Sequence, residues 1–161
     1  MDEFIYDLDK NYKLDGCWIK KDVIVFETSS KRDELSCPYC GKRTSKIHSY
    51  YTREIQDLPI QNRKTVLLVK TRKMFCTNNE CATKTFSEKH SFVDPKGKKT
   101  QRLERNILYM STQLSSVNAS KALKTNKIEG SKSTICMMHK IMPSIVDNFS
   151  VRRVLRRWFC D

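Results

Sequence analysis

Apolar positions in this chain change their period once, and the change divides it. Up to about residue 92 they follow strand-like patterns, and beyond about residue 100 a helical one. Near the start, Cys17-Trp18-Ile19 and then Val23-Ile24-Val25-Phe26-Glu27-Thr28 are β-branched and aromatic stretches that suit one or two strands. Ser29 to Glu34 reads as a loop. Two further strands are predicted over Lys46-Ile47-His48-Ser49-Tyr50-Tyr51 and from Thr65 to Phe75, separated by the turn-prone Asp57-Leu58-Pro59 and Gln61-Asn62. In the second, Val66, Leu68, Lys70 and Arg72 alternate with Leu67, Val69, Thr71 and Lys73, so one face becomes cationic towards its end.

The run Asp94-Pro95-Lys96-Gly97-Lys98-Lys99 combines a proline, a glycine and a block of charge, which marks a linker. After it, Leu103, Ile107, Met110 and Leu114 fall at i, i+4, i+7 and i+11, predicting a helix from about Gln101 to Gln113. Ser115-Ser116 can cap a second helix carrying Val117, Ala119, Ala122 and Leu123. Gly130, with Ser131 or Ser133, offers a stop and a new cap for a third, which Pro143 ends. The expected class is α+β: a small strand-rich domain holding the cysteine pairs Cys37/Cys40 and Cys76/Cys81, whose spacing suits a Zn2+ site, followed by a three-helix unit. The expected division is a strand segment at 1–35, this four-cysteine zinc-finger domain at 36–92, a linker at 93–100, a helical domain at 101–145 and a basic tail at 146–161.

Charge sharpens the picture because it is unevenly placed. Residues 1–35 carry 6 Lys/Arg against 9 Asp/Glu, residues 36–99 carry 14 against 5, and residues 100–161 carry 11 against 4, within a net charge of +13. A basic excess that begins at the first cysteine pair favours a polyanionic partner, since each phosphate neutralised releases bound counterions. The longest apolar runs, such as Val66-Leu67-Leu68-Val69, are far short of the roughly 20 residues that span a bilayer. Together with the acidic start Met1-Asp2-Glu3 and the seven cysteines, an odd number, this predicts a cytoplasmic protein with reduced thiols and no membrane partner.

Two of those thiols stand in Cys37-Pro38-Tyr39-Cys40-Gly41-Lys42, a knuckle in which two sulfurs reach one ion and the glycine permits the turn. Cys76 and Cys81, four residues apart after a strand, supply a second pair, so four thiolates can close a tetrahedral structural Zn2+ site. Such a site leaves the metal no open position for water, which argues against catalysis there. Cys17, Cys136 and Cys160 are isolated and read as small buried hydrophobes, while His48, His90 and His139 lack knuckle spacing with any cysteine. In a domain with few and short apolar runs the metal is expected to supply much of the folding free energy.

Three short helices fit a helix-turn-helix whose third member enters the major groove. Its expected DNA-facing residues are Ser131, Lys132, Ser133, Thr134 and Lys140, near a helix N-terminus that itself attracts phosphate. Arg63, Lys64, Lys70, Arg72 and Lys73, on the strand before Cys76, are candidates for neutralising backbone phosphate. The basic cluster Arg152, Arg153, Arg156 and Arg157 is a lesser one.

The combination of Cys37-Pro38-Tyr39-Cys40-Gly41, Ile47-His48-Ser49-Tyr50-Tyr51-Thr52-Arg53, Asp57-Leu58-Pro59, Arg72-Lys73-Met74-Phe75-Cys76, Cys81 and Phe86-Ser87-Glu88 resembles the zinc-finger domain of ISL3-family transposases. The helices, from Thr100-Gln101-Arg102-Leu103 to Ser131-Lys132-Ser133-Thr134, resemble that family's helix-turn-helix, so the likeness covers about residues 15 to 142. It implies recognition of the terminal inverted repeats of an insertion sequence, with catalysis by a later Asp-Asp-Glu domain that uses divalent metal. After the linker this chain has only Glu104, Glu129, Asp147 and Asp161 as side-chain carboxylates, which predicts a truncated copy that binds DNA and performs no chemistry. Its expected partners are double-stranded DNA ends and, for association, itself or a full-length transposase. A transcription regulator derived from the DNA-binding half is the alternative, and a recombinase subunit completed by a separate catalytic chain a third reading.

Overall fold

Gln61 and Asn62 both take positive φ, 49° and 58°, which is the backbone of a tight two-residue hairpin whose twist matches its flanking strands. That hairpin joins the two longest strands of the molecule. The computed structural model describes residues 2–130 and Ile135. In chain order the elements are α1 (Asp2–Leu8), β1 (Tyr12–Lys20), β2 (Val23–Ser30), β3 (Leu35–Ser36), β4 (Arg43–Thr44), β5 (Ile47–Ile60), β6 (Arg63–Phe75), β7 (Thr85–Ser87), α2 (Gln101–Gln113) and α3 (Ser116–Thr125).

The sheet runs β1-β2-β6-β5, with β7 added to the end of β6, while β3 and β4 form a separate ribbon. All pairings are antiparallel except β2 with β6, where Val23 to Ser29 run beside Lys64 to Lys70. The segment 1–35 therefore contributes two strands directly to the sheet that carries β5 and β6. Residues from both halves share one core: Ile24 and Phe26 from β2, Ile55 from β5, and Leu67 and Val69 from β6, closed by Ile5, Tyr12, Phe92 and Val93. Helix α1, with Ile5 fully buried, was not signalled by the strand-like pattern that follows it.

The strand expected to stop before Asp57-Leu58-Pro59 instead continues through it to Ile60, with a register shift between Asp57 and Ile60. Pro59 is tolerated because β5 lies at the sheet's edge, where a missing N–H costs no ladder bond. The expected linker is likewise pinned. Gln56 donates its N–H to Lys98 O at 2.8 Å and accepts at its own O from Thr100 N at 3.0 Å, and the Arg53 guanidinium holds the carbonyls of Asp94 and Gly97.

Helix α2 has the bounds that the apolar spacing predicts, and its cap Thr100 accepts from Leu103 N; Ser115 caps α3 by accepting from Asn118 N. Leu103, Ile107, Ala119, Leu123, Ile128 and Ile135 form the second core, against which Leu58 of β5 packs. Asp57, with no exposed surface, fixes this unit to the sheet: it accepts from Thr100 Oγ1 at 2.6 Å and, at its two carboxylate oxygens, from Nε and Nη2 on one edge of the Arg102 guanidinium. The third helix expected from Ser131 or Ser133 to Met142 lies outside the described residues apart from Ile135.

Candidate functional site

The end of the sheet away from the helices is built from two tight turns. Gly41, at φ 74°, closes the first: its N–H reaches Cys37 O at 2.9 Å, and Cys37 N reaches Lys42 O at 2.9 Å. Only a residue free of a Cβ penalty adopts this left-handed geometry without cost. The second turn leaves β6 at Phe75. Cys76 N donates to Lys84 O at 2.8 Å and Cys81 N to Asn78 O at 3.2 Å, after which β7 returns along β6. The consequence is convergence: the sulfurs of Cys37, Cys40, Cys76 and Cys81 all lie within 4.8 Å of one another, and those of Cys40 and Cys76 are 3.6 Å apart.

Tetrahedral zinc with bonds of about 2.3 Å to sulfur sets its ligands roughly 3.8 Å apart, so this cluster suits the ion with little adjustment. Its electrostatics also call for a cation. The Cys40 thiol is drawn down to about 7, chiefly by the backbone N–H of Lys42. For Cys76 the backbone N–H of Asn78 favours the thiolate, yet desolvation and the sulfurs of Cys40, Cys37 and Cys81 together hold its thiol up to about 12. Four sulfurs so close cannot all ionise without a positive charge among them. Cys37 and Cys81 are buried, and with Met74 and Phe86 they make up a core of four residues, which leaves Cys40 exposed. Zinc bound here crosslinks two turns that have little apolar surface to hold them.

The other cysteines and histidines play no part in this cluster. Cys17 is half-buried against the main core. His48 is exposed, with its ring 4.8 Å from that of Phe75. His90 is buried, with Nδ1 against the Tyr12 hydroxyl and Nε2 3.0 Å from Thr71 Oγ1. Burial holds its imidazole down at about 4, so it is neutral in the fold. Cys136, Cys160 and His139 lie outside the described residues, and the four cysteines are the single group of three or more close ligating side chains among the described ones.

The cations expected on β6 are spread along it and differ in availability. Arg72 is engaged inside the fold. Its Nε and Nη2 each reach a Glu88 carboxylate oxygen at 2.9 Å, and Nη1 reaches Arg32 O at 2.6 Å. Glu88 is fully buried; desolvation raises its carboxyl, but the hydrogen bonds from Arg72 and Ser30 outweigh that and leave it below the ordinary value. Lys70 is exposed, with its ammonium 4.7 Å over the Tyr50 ring. Lys73 is half-buried beside Tyr39, Tyr51 and Lys89 in a groove next to the first cysteine turn. At the opposite end, Arg63 reaches Gln61 Oε1 at 3.2 Å and Lys64 pairs with Glu129 at 2.5 Å. Ser131, Lys132, Ser133, Thr134 and Lys140 lie outside the described residues, as do Arg152, Arg153, Arg156 and Arg157.

Sequence reasoning missed the polar clamp of Gln56 and Asp57. Gln56 donates through Nε2 to Lys127 O at 2.8 Å and accepts at Oε1 from Glu129 N at 3.0 Å, tying the strand to the end of α3. Their only signal was a polar pair ahead of Leu58-Pro59, which reads equally well as a turn.

Residues 33–81 match the family model described as the zinc-finger of transposase IS204/IS1001/IS1096/IS1165, a span that begins before the first cysteine turn and ends on Cys81. No curated protein and no solved structure matches the chain. No helix among the described residues is long and apolar enough to cross a membrane.

Proposed function

We propose, from the premise that residues 33–81 form the zinc ribbon of an ISL3-type transposase, that this chain binds double-stranded DNA and recognises the terminal inverted repeats of an insertion sequence. That match is the observation that carries the reading. Cys37, Cys40, Cys76 and Cys81 are then the ligands, and the ion they hold stabilises the ribbon without taking part in chemistry. The net charge of +13 supplies the attraction for phosphate. Arg63, Lys64, Lys70 and Lys73 are assigned to backbone contacts. Arg72 is left out because its donors are used within the fold. Helices α2 and α3 serve as the first two members of a helix-turn-helix, with Ser131, Lys132, Ser133, Thr134 and Lys140 on its reading element. No catalytic step is assigned to this chain.

The test is titration of purified zinc-loaded protein against inverted-repeat and scrambled duplexes over a salt series, with and without chelator. Neutralising about six phosphates gives a slope of log affinity on log salt near −5. Preference for the inverted repeat, lost on chelation, is expected. Binding blind to sequence would overturn end recognition, and absence of binding would overturn the DNA reading itself.

A further inference from the structure

Where the sheet meets the helical unit, a cleft of about 710 Å³ is lined by four lysines, Lys64, Lys99, Lys124 and Lys127, and two carboxylates, Asp22 and Glu129. The lysines come from four places: the start of β6, the pinned segment before α2, the last turn of α3, and the residue following its cap. Lys127 is held there at φ 58°, a left-handed backbone that costs a non-glycine residue energy, and its carbonyl is gripped by Gln56. Helix-dipole compensation accounts for a lysine near the end of α3. It does not account for Lys64 and Lys99, which other segments carry to the same opening.

The two carboxylates are only partial counterions. Glu129 meets Lys64 at 2.5 Å and Asp22 meets Lys127 at 3.7 Å, yet their own side chains remain 69% and 76% exposed. Four lysines against two carboxylates leave the lining at 4 − 2 = +2. Among the described residues neither Lys99 nor Lys124 has an ion-pair partner. Two cations therefore lack a close carboxylate among the described residues, Lys99 acting on Glu104 and Glu129 only at longer range, and two more are paired with carboxylates that water, or another anion, can reach.

We infer that this cleft is a second nucleic-acid contact: it takes the phosphodiester backbone of the duplex, with Lys99 and Lys124 as standing phosphate contacts and Glu129 and Asp22 as internal competitors for Lys64 and Lys127. The inference rests on the DNA-binding reading above and names a surface at the far end of β6 from the ribbon. Its distinguishing consequence is one of sign. Removing cleft lysines weakens binding, whereas removing a cleft carboxylate strengthens it by freeing a lysine for phosphate.

The experiment measures DNA affinity of the zinc-loaded full chain over a salt series for Lys99→Ala/Lys124→Ala, for Glu129→Gln, and for Lys10→Ala as a single-charge control outside the cleft, with zinc content and circular dichroism verifying the fold. The double variant is expected to lose about tenfold in affinity and to flatten the salt slope by about two, as two lost phosphate contacts require. Glu129→Gln is expected to bind a few-fold more tightly, with a slope steeper by about one. Folded cleft variants that change affinity and slope no more than Lys10→Ala does, while the wild type binds normally, would overturn the cleft and leave the function standing. A wild type that binds no DNA would overturn both. Should Lys99→Ala/Lys124→Ala unfold, Glu129→Gln alone decides, since unchanged or weaker binding contradicts competition for Lys64.

Discussion

The two ends of β6 are held by different physics. At one end the ribbon has a core of four residues, two of them cysteines, and strands of two or three residues. At the other, nine buried residues form the main core, and Asp57 and Gln56 add charged and polar clamps to the helical unit. A long strand thus joins a region whose order is expected to depend on an ion to one held by buried apolar surface. The lesson is that one continuous sheet need not be one unit of stability, and each end is expected to fail under its own challenge.

The sharpest separation comes from the metal. Chelation, or Cys37→Ser, is expected to remove a contribution on the order of 10 kcal/mol from the ribbon. Amide exchange should then rise across residues 36–44 and 76–87 while β1, β2 and the centre of β6 stay protected; equal loss of protection everywhere would make the two ends one unit. Next in size is Leu67→Ala in the main core. Truncating a fully buried leucine costs about 2–5 kcal/mol, read as a drop in melting temperature with zinc stoichiometry unchanged below the transition.

Asp57→Asn tests the clamp. It leaves Arg102 facing a neutral amide, for a loss of about 2–3 kcal/mol, discounted because the Arg102 side chain is 30% exposed. Exchange should rise in α2 and α3 before it rises in β2. Acid is a gentler probe of the main core. His90 is held down at about 4 from an ordinary value of 6.5, so the unfolded chain binds the extra proton between those values. Stability of the main sheet is therefore full above about pH 6.5 and falls as pH drops towards 4, and His90→Gln should flatten that part of the profile measured by exchange in β2. The smallest expected effect is Ser115→Ala, which removes the α3 cap for about 1 kcal/mol.

The cysteine cluster was legible because ligand spacing is a local property: two pairs and a glycine define two turns wherever the rest of the chain goes. The bounds of α2 and the capping of α3 were legible for the same reason, since Thr100 and Ser115 act within three residues. What escaped was set by distant partners. Asp57-Leu58-Pro59 has the composition of a turn, and its strand conformation follows from an edge position and from Arg102, 45 residues on. Arg72 looks like a free cation until Glu88 and the Arg32 carbonyl are brought to it. Lys99, Lys124 and Lys127 share an opening that nothing in their spacing foretells.

The length of β6 sets a gauge. From Lys64, at the cleft, to Cys76, at the ribbon, the chain advances 76 − 64 = 12 residues with β6 unbroken up to Phe75, which at about 3.3 Å each is roughly 40 Å. Along duplex DNA, at about 3.4 Å per base pair, that is some 12 base pairs, a little over one turn. A strand bonded on both sides cannot be stretched or shortened without slipping its register, so the distance between the two ends is rigidly specified. On the proposed reading of its two ends, the sheet is a measuring rod whose marks are a zinc ribbon and a lysine cleft.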